Sequence, residues 1–314
     1  MNEKMMATLV HIGTNMWLEE DNKTVNNKDT WEMPASNKLR LDKELWDKYM
    51  VELKEAGNNT LILDLGDGIK YDSHPEIAVE GAWTRAELEA EIAKLEGMGF
   101  KLIPKLNFSA THDYWMKDYA KMLSTDTYYK FCADIIAEIC EIFKPEYFHI
   151  GMDEEGYPLQ EKFDYVVIRQ HDAWWKDVYF YINEVEKQGV RPIMWADYAR
   201  EKLDEFIEKC PKSVIPMIWY YDNNYYGELE EFFFIRVRPF KALIDAGFDI
   251  MGAGSVVYHI ENFGLMAEYV KNNLDPNKFL GLCQTTWQAV LPQFRDFLDD
   301  GLKTVKEAVE VLNS

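Results

Sequence analysis

The chain has 314 residues, 47% of them hydrophobic, and 34 basic against 55 acidic side chains give a net charge of −21. That apolar content fits a folded globular protein, and the length suits either two ordinary domains or one barrel. The acidic excess argues against a nucleic-acid or anionic-membrane surface, since both need concentrated Lys and Arg.

The opening MNEKMMATLV lacks the apolar stretch and small-residue cleavage site of a secretory leader. No run of about eighteen apolar residues follows anywhere, so no spanning helix is expected. A cytoplasmic location is therefore the expectation, unless a leader has been removed. Cys132, Cys140, Cys210 and Cys283 have no metal-like spacing. Cys132 and Cys140 share one predicted helix, and reduced, buried thiols are expected.

Short β-branched or aromatic runs predict strands over Thr8–Thr14, Thr60–Leu65, Lys101–Leu106, Tyr147–Asp153, Arg191–Trp195, Val214–Tyr220, Asp249–Ala253 and Phe279–Thr285. Several are apolar without alternation, as parallel strands covered on both faces should be. Helical patterns lie between them. Trp46, Met50 and Leu53 recur at helical spacing before Gly57. Thr84 and Glu87 form a capping box, with Trp83 and Leu88 as a hydrophobic staple, and Leu88, Ile92 and Leu95 continue the helix to Gly97. Phe131, Ile135, Ile139 and Phe143 mark the helix before Lys144-Pro145. Strand–helix alternation of this count, with no Ser/Gly linker or internal repeat, predicts an α/β fold: one (β/α)8 TIM barrel over residues 1–314.

A barrel of this type carries its chemistry on the loops after the carboxyl ends of its strands. Those ends bring Asn15 and Trp17, Asp64 and Asp67, then Asn107, His112 and Asp113. Asp153 and Glu154 follow, then Trp195 and Asp197, Trp219 to Asp222, Ser255 and Tyr258, and Gln284, Trp287 and Gln288. Aromatic faces around carboxylates suit a sugar ring, whose C–H faces are apolar and whose hydroxyls hydrogen-bond. Adjacent carboxylates at the end of a short apolar run are costly to bury without a purpose.

The segment His149-Ile150-Gly151-Met152-Asp153-Glu154 resembles the H-x-G-G-D-E signature of family 20 glycoside hydrolases, the β-hexosaminidases, with Met152 in place of one Gly. Gly81-Ala82-Trp83-Thr84 resembles the family's Y-T segment, and Ile103 to His112 its I-P-E-x-D-x-P-G-H segment. Met194 to Asp197 is similar to its fifth-strand tryptophan motif, and Thr286-Trp287-Gln288 to its last-strand W-x-E motif. The resemblance implies removal of a terminal 2-acetamido sugar by substrate-assisted retention, in which the substrate's own acetamido carbonyl attacks the anomeric carbon. Glu154 would be general acid and then base, and Asp153 would hold the amide N–H and offset the oxazolinium charge. Trp195, Trp219 and Trp287 would form the acetamido pocket, and Tyr220 or Tyr221 would donate to its oxygen. Asp197, Gln288, His112, Asn107 and Asn15 complete the expected substrate-binding set, with the alternative for His112-Asp113 that it pins a long loop. No cofactor and no metal are expected; the partner is a carbohydrate, with neither nucleic acid nor membrane.

Four departures from the family pattern bear on the sugar grip. Lys105 replaces an acidic residue, Asn107 an Asp, and Ala289 the Glu of W-x-E, while the Arg after the first strand has no counterpart. Two rival readings follow: a catalytically altered carbohydrate-binding barrel, or a glycosidase on a different sugar. The seventh strand ends without a carboxylate, so a conventional nucleophile would have to be Asp197 or Asp222. His149 reads as a barrel-interior histidine satisfied by hydrogen bonds. A metal site gathering His11, Asp64, His112 and Asp153 lacks ligand spacing. Glu19-Glu20-Asp21 and the cluster of Glu228, Glu230 and Glu231 read as solvated surface. Of Trp174 and Trp175, one is expected buried and one at a loop or partner surface.

Overall fold

The structure, a computed structural model, describes residues 4–19, 33–156, 160–161 and 163–314. Eight parallel strands close into a barrel in chain order, β1 pairing with both β2 and β8. They are β1 (Met5–His11), β2 (Thr60–Asp64), β3 (Lys101–Lys105), β4 (Tyr147–His149), β5 (Arg191–Trp195), β6 (Ile215–Trp219), β7 (Ile250–Ser255) and β8 (Phe279–Ala289). The principal helices are α1 (Lys43–Ala56), α2 (Arg85–Gly97), α3 (Asp126–Phe143), α4 (His171–Lys187), α5 (Leu203–Lys209), α6 (Glu231–Asp245), α7 (Asn262–Asn273) and α8 (Arg295–Asn313). One follows each strand, so the fold is a (β/α)8 TIM barrel. No described helix is long and apolar enough to cross a membrane.

Local sequence explains the helices. Thr84 and Glu87 make the reciprocal capping box at the start of α2, and Leu88, Ile92 and Leu95 face inward. Gly57, at φ 105°, ends α1 in the left-handed conformation that glycine adopts most cheaply. All four cysteines are buried and unpaired. Trp174 and Trp175 correct the expectation of one outer and one inner ring. Both are buried, meeting edge to face at 4.9 Å while Trp174 stacks on Tyr198. Glu20 and Asp21 lie outside the described residues.

Strand boundaries differ from expectation mainly at β1, at β4 and at β8, which runs past Thr285 to Ala289. β1 begins at Met5, where the backbone pairs with Gly281 on β8. β4 stops at His149 because Gly151 (φ 75°), Met152 (φ 78°) and Glu154 (φ 54°) leave the extended region. The next residues therefore form a rim loop with their carboxylates re-aimed.

Charged groups are also held inside the barrel. Lys105, fully buried, donates to Asp64, and His11 Nδ1 lies 3.5 Å from the same carboxylate. Burial pushes the Asp64 carboxyl up, but Lys105 and His11 outweigh that and hold it below the usual carboxylate range. Lys105 thus closes an ion pair inside the barrel at the carboxyl ends of β1, β2 and β3. His149 is buried beside this group, its Nδ1 accepting from the Gly151 N–H at 3.0 Å; among the described residues its Nε2 has no hydrogen-bond partner. Burial, and then the Lys105 charge, push this imidazole far down.

Candidate active site

The loops after β3 and β4 hold the two carboxylates by a dense set of hydrogen bonds. Asn107 Nδ2 donates to Asp153 Oδ1 at 2.8 Å, while Asn107 Oδ1 accepts from the Ser109 N–H at 3.0 Å and the Met152 N–H at 3.3 Å. Ser109 Oγ donates to the Asp153 carbonyl, and Thr111 Oγ1 to the Glu154 carbonyl at 2.8 Å. A Cβ on Gly151 would come within 2.0 Å of Asn107 Oδ1. Gly151 is thus required both by its positive φ and by this close approach. Met152 and Glu154 take positive φ without that freedom, a strain that persists only where surroundings over-determine it.

His112 Nε2 sits 3.3 Å from Glu154 Oε2 and 3.6 Å from Asp153 Oδ2. Burial pushes this imidazole down, but the Asp153 charge and the bond and charge of Glu154 outweigh it and raise it to about 9. At neutral pH the imidazole therefore keeps its proton, facing the side chains of both Asp153 and Glu154. Ligand-capable atoms of His112, Asp153 and Glu154 lie within 4.8 Å of one another, a spacing that could hold a metal ion. His11 and Asp64 lie instead in the Lys105 cluster, so the four-residue metal site considered from sequence is divided between two groups.

The pocket in front of the carboxylates has about 490 Å³ of empty space, its open mouth included. Trp17, His112, Asp153, Glu154, Trp219, Tyr221, Val257, Tyr258 and Trp287 line it. Trp219 and Tyr221 stack at 4.9 Å, and Trp287 Nε1 donates to the Tyr221 hydroxyl at 3.2 Å. Asp197 stands behind this wall. Its Oδ1 accepts from Trp219 Nε1 at 2.7 Å and lies 3.7 Å from an Arg200 nitrogen, and its Oδ2 accepts from the Glu154 N–H at 3.1 Å. The Arg200 guanidinium covers the Trp219 ring at 3.4 Å. Burial first, opposed by Arg200 and assisted by Asp153 and Glu154, raises the Asp197 carboxyl to about 6.

Six sequence-nominated residues therefore meet at one pocket: His112, Asp153, Glu154, Trp219, Tyr221 and Trp287. Asn107 and Asp197 hold it from behind. Trp195 is buried between His149 (4.6 Å) and Trp287 (6.0 Å). Tyr220 turns away, donating to the Asn224 carbonyl at 2.9 Å. Gln288 is buried outside the pocket lining, and Asn15 bonds Asp67 at 2.6 Å and the Ser36 backbone instead. Asp222 lies 3.6 Å from His259 and does not line the pocket. Trp17 and Tyr258 join the six pocket residues from the list of strand-end aromatics. Val257 had no signal in the sequence.

A sequence profile of glycosyl hydrolase family 20, catalytic domain, matches residues 71–231, half of the chain. No curated protein matches it in sequence. Among solved structures, the β-N-acetylhexosaminidase from Bacteroides fragilis NCTC 9343 superposes at TM-score 0.67 with 13% identity, covering 98% of this chain and 65% of that one. The family 20 β-N-acetylhexosaminidase from Streptomyces coelicolor A3(2) gives 0.62 and 13%, over 96% of this chain and 63% of that one. The exo β-N-acetylglucosaminidase from Vibrio harveyi gives 0.63 and 14%, over 98% and 54%. This chain thus spans less than two thirds of each of these proteins, and at such identity the likeness is one of fold. The profile match across β4 and the Asp-Glu loop places the chain in glycosyl hydrolase family 20.

Proposed function

We propose that the protein hydrolyses a terminal 2-acetamido sugar from a glycoside by substrate-assisted retention. The observation that carries this reading is the placement of Asp153 and Glu154, bridged by His112, against one aromatic pocket. Glu154, its side chain about one-third exposed, reaches the pocket and would protonate the leaving oxygen. Asp153 is buried and fixed by Asn107 through Oδ1, and its Oδ2, 3.6 Å from His112 Nε2, would accept from an acetamido N–H. Tyr221 is the tyrosine of its pair that lines the pocket, and Trp219 and Trp287 supply the walls.

Retention also proceeds through a protein nucleophile about 5–5.5 Å from the acid. Neither nominated residue offers one. Both oxygens of Asp197 are engaged by the Trp219 indole, Arg200 and the Glu154 backbone, and Asp222 stands outside the pocket. β7 ends in Ser255, which is buried and donates to the Thr285 carbonyl. This supports the acetamido group as nucleophile.

The test is nitrophenol release from nitrophenyl 2-acetamido-2-deoxy hexosides against the matching 2-hydroxy hexosides. Turnover of the acetamido series alone is expected. Preference for the 2-hydroxy series would favour a glycosidase on a different sugar. Binding without turnover would favour the altered carbohydrate-binding barrel.

A further inference from the structure

Behind the pocket lies a buried cation that has no part in the chemistry above. Arg169, in the loop before α4, has a side chain only 3% exposed. Its guanidinium lies 3.2 Å from Glu155 Oε1 and 3.1 Å from Asp177 Oδ2 on α4. It also donates to the Phe108 carbonyl at 3.1 Å, to the Tyr181 hydroxyl at 3.4 Å and to Met152 Sδ at 3.7 Å. Glu155 accepts in turn from the Ala110 N–H at 3.0 Å.

Three of these partners lie on the loops that carry the catalytic pair and its imidazole. Met152 and Glu155 flank Asp153 and Glu154, and Phe108 and Ala110 precede His112. The loop after β4 adopts a strained backbone at Met152 and Glu154, which relaxes unless held. The Asp177 side of the clamp is anchored independently, since Asp177 also accepts from Ser124 Oγ at 2.6 Å and from Tyr129. One guanidinium therefore ties α4 to both loops at once, and only its fork of donors spans that many directions.

We infer that Arg169, acting through Glu155, is a positioning residue that sets the separation of His112 from Asp153 and Glu154. This rests on the reading of Asp153 and Glu154 as the catalytic pair. Arg169→Lys keeps the charge and loses the fork; Glu155→Gln is nearly isosteric and loses the ion pair.

In each variant kcat should fall by about ten- to a hundredfold, as for sub-ångström displacement of reacting groups, with KM within roughly twofold. The double variant should be no worse than the weaker single one, because both cut one clamp. The His112 imidazole titration, followed by ¹⁵N NMR, needs no substrate; it should fall in both variants as the carboxylates move away. A lower melting temperature with kcat per folded molecule and the His112 titration both unchanged would reduce Arg169 to a structural role and overturn the inference. Losses that multiply in the double variant would contradict the route through Glu155. A wild-type protein inactive on acetamido glycosides would sink the functional reading, and the His112 titration would still decide the clamp.

Discussion

His112 Nε2 lies 3.3 Å from Glu154 Oε2, a charge-assisted contact between a buried imidazole and a partly exposed side chain at the pocket wall. The imidazole's value of about 9 in the fold exceeds the roughly 6.5 of an unfolded chain, so the contact links stability to pH. Its stabilisation, on the order of 3 kcal/mol, is complete below about pH 6.5 and is lost as pH rises through about 9. Asp67, which burial raises to about 7, acts in a different window. It penalises the fold increasingly from about pH 4 to 7 and little further above that. The melting temperature should therefore fall between pH 7 and 9, and His112→Gln should flatten that slope. An equal slope in the variant would mean the imidazole is not held by its two carboxylates.

Glu154→Gln removes the proton donor and keeps the side chain's size. Turnover should drop by about a hundred- to ten-thousand-fold while inhibitor affinity stays nearly constant. Steady-state kinetics beside calorimetric binding checks both. Full turnover would assign the acid to another residue.

Asn107 stands where the family pattern has an Asp, and here it donates to Asp153. Asn107→Asp replaces a donor with a second carboxylate in a buried site. One of the pair must then take up a proton. Urea denaturation at pH 7 should show a loss of about 2 kcal/mol, of the order of a hydrogen bond to a charged group, with partial recovery at pH 5. Unchanged stability at pH 7 would show that the bond contributes nothing.

The cluster of His112, Asp153 and Glu154 has a spacing a cation could use, yet the proposed chemistry needs none. Dialysis against a chelator should leave kcat unchanged. Activity lost to the chelator and restored by a divalent ion would replace the acid–base scheme with a metal-dependent one.

The barrel was legible because its strands are short apolar runs separated by helices with their own caps, as at Thr84 and Gly57. The Asp-Glu pair was legible because charge at a strand end is costly. What escaped is set by tertiary contacts. The end of β4 depends on backbone turns stabilised by Asn107 and Asp197, which are distant in sequence. Asp197 reads as a substrate ligand at a strand end, but its oxygens are taken by Trp219, Arg200 and Glu154. Arg169 gives no signal at all, since a lone Arg after the apolar run Tyr165-Val166-Val167-Ile168 resembles any solvated one until α4 packs beneath it.

Substrate assistance is tested most directly by calorimetric titration with an N-acetylhexosamine thiazoline, which mimics the cyclised acetamido intermediate. The wild-type protein should bind it tightly. Asp153→Asn, which removes the charge opposite the oxazolinium-like ring, should weaken it by about tenfold or more, the 1.4 kcal/mol or more expected of a buried charged contact. No binding to the wild type, or equal binding to both proteins, would contradict the account.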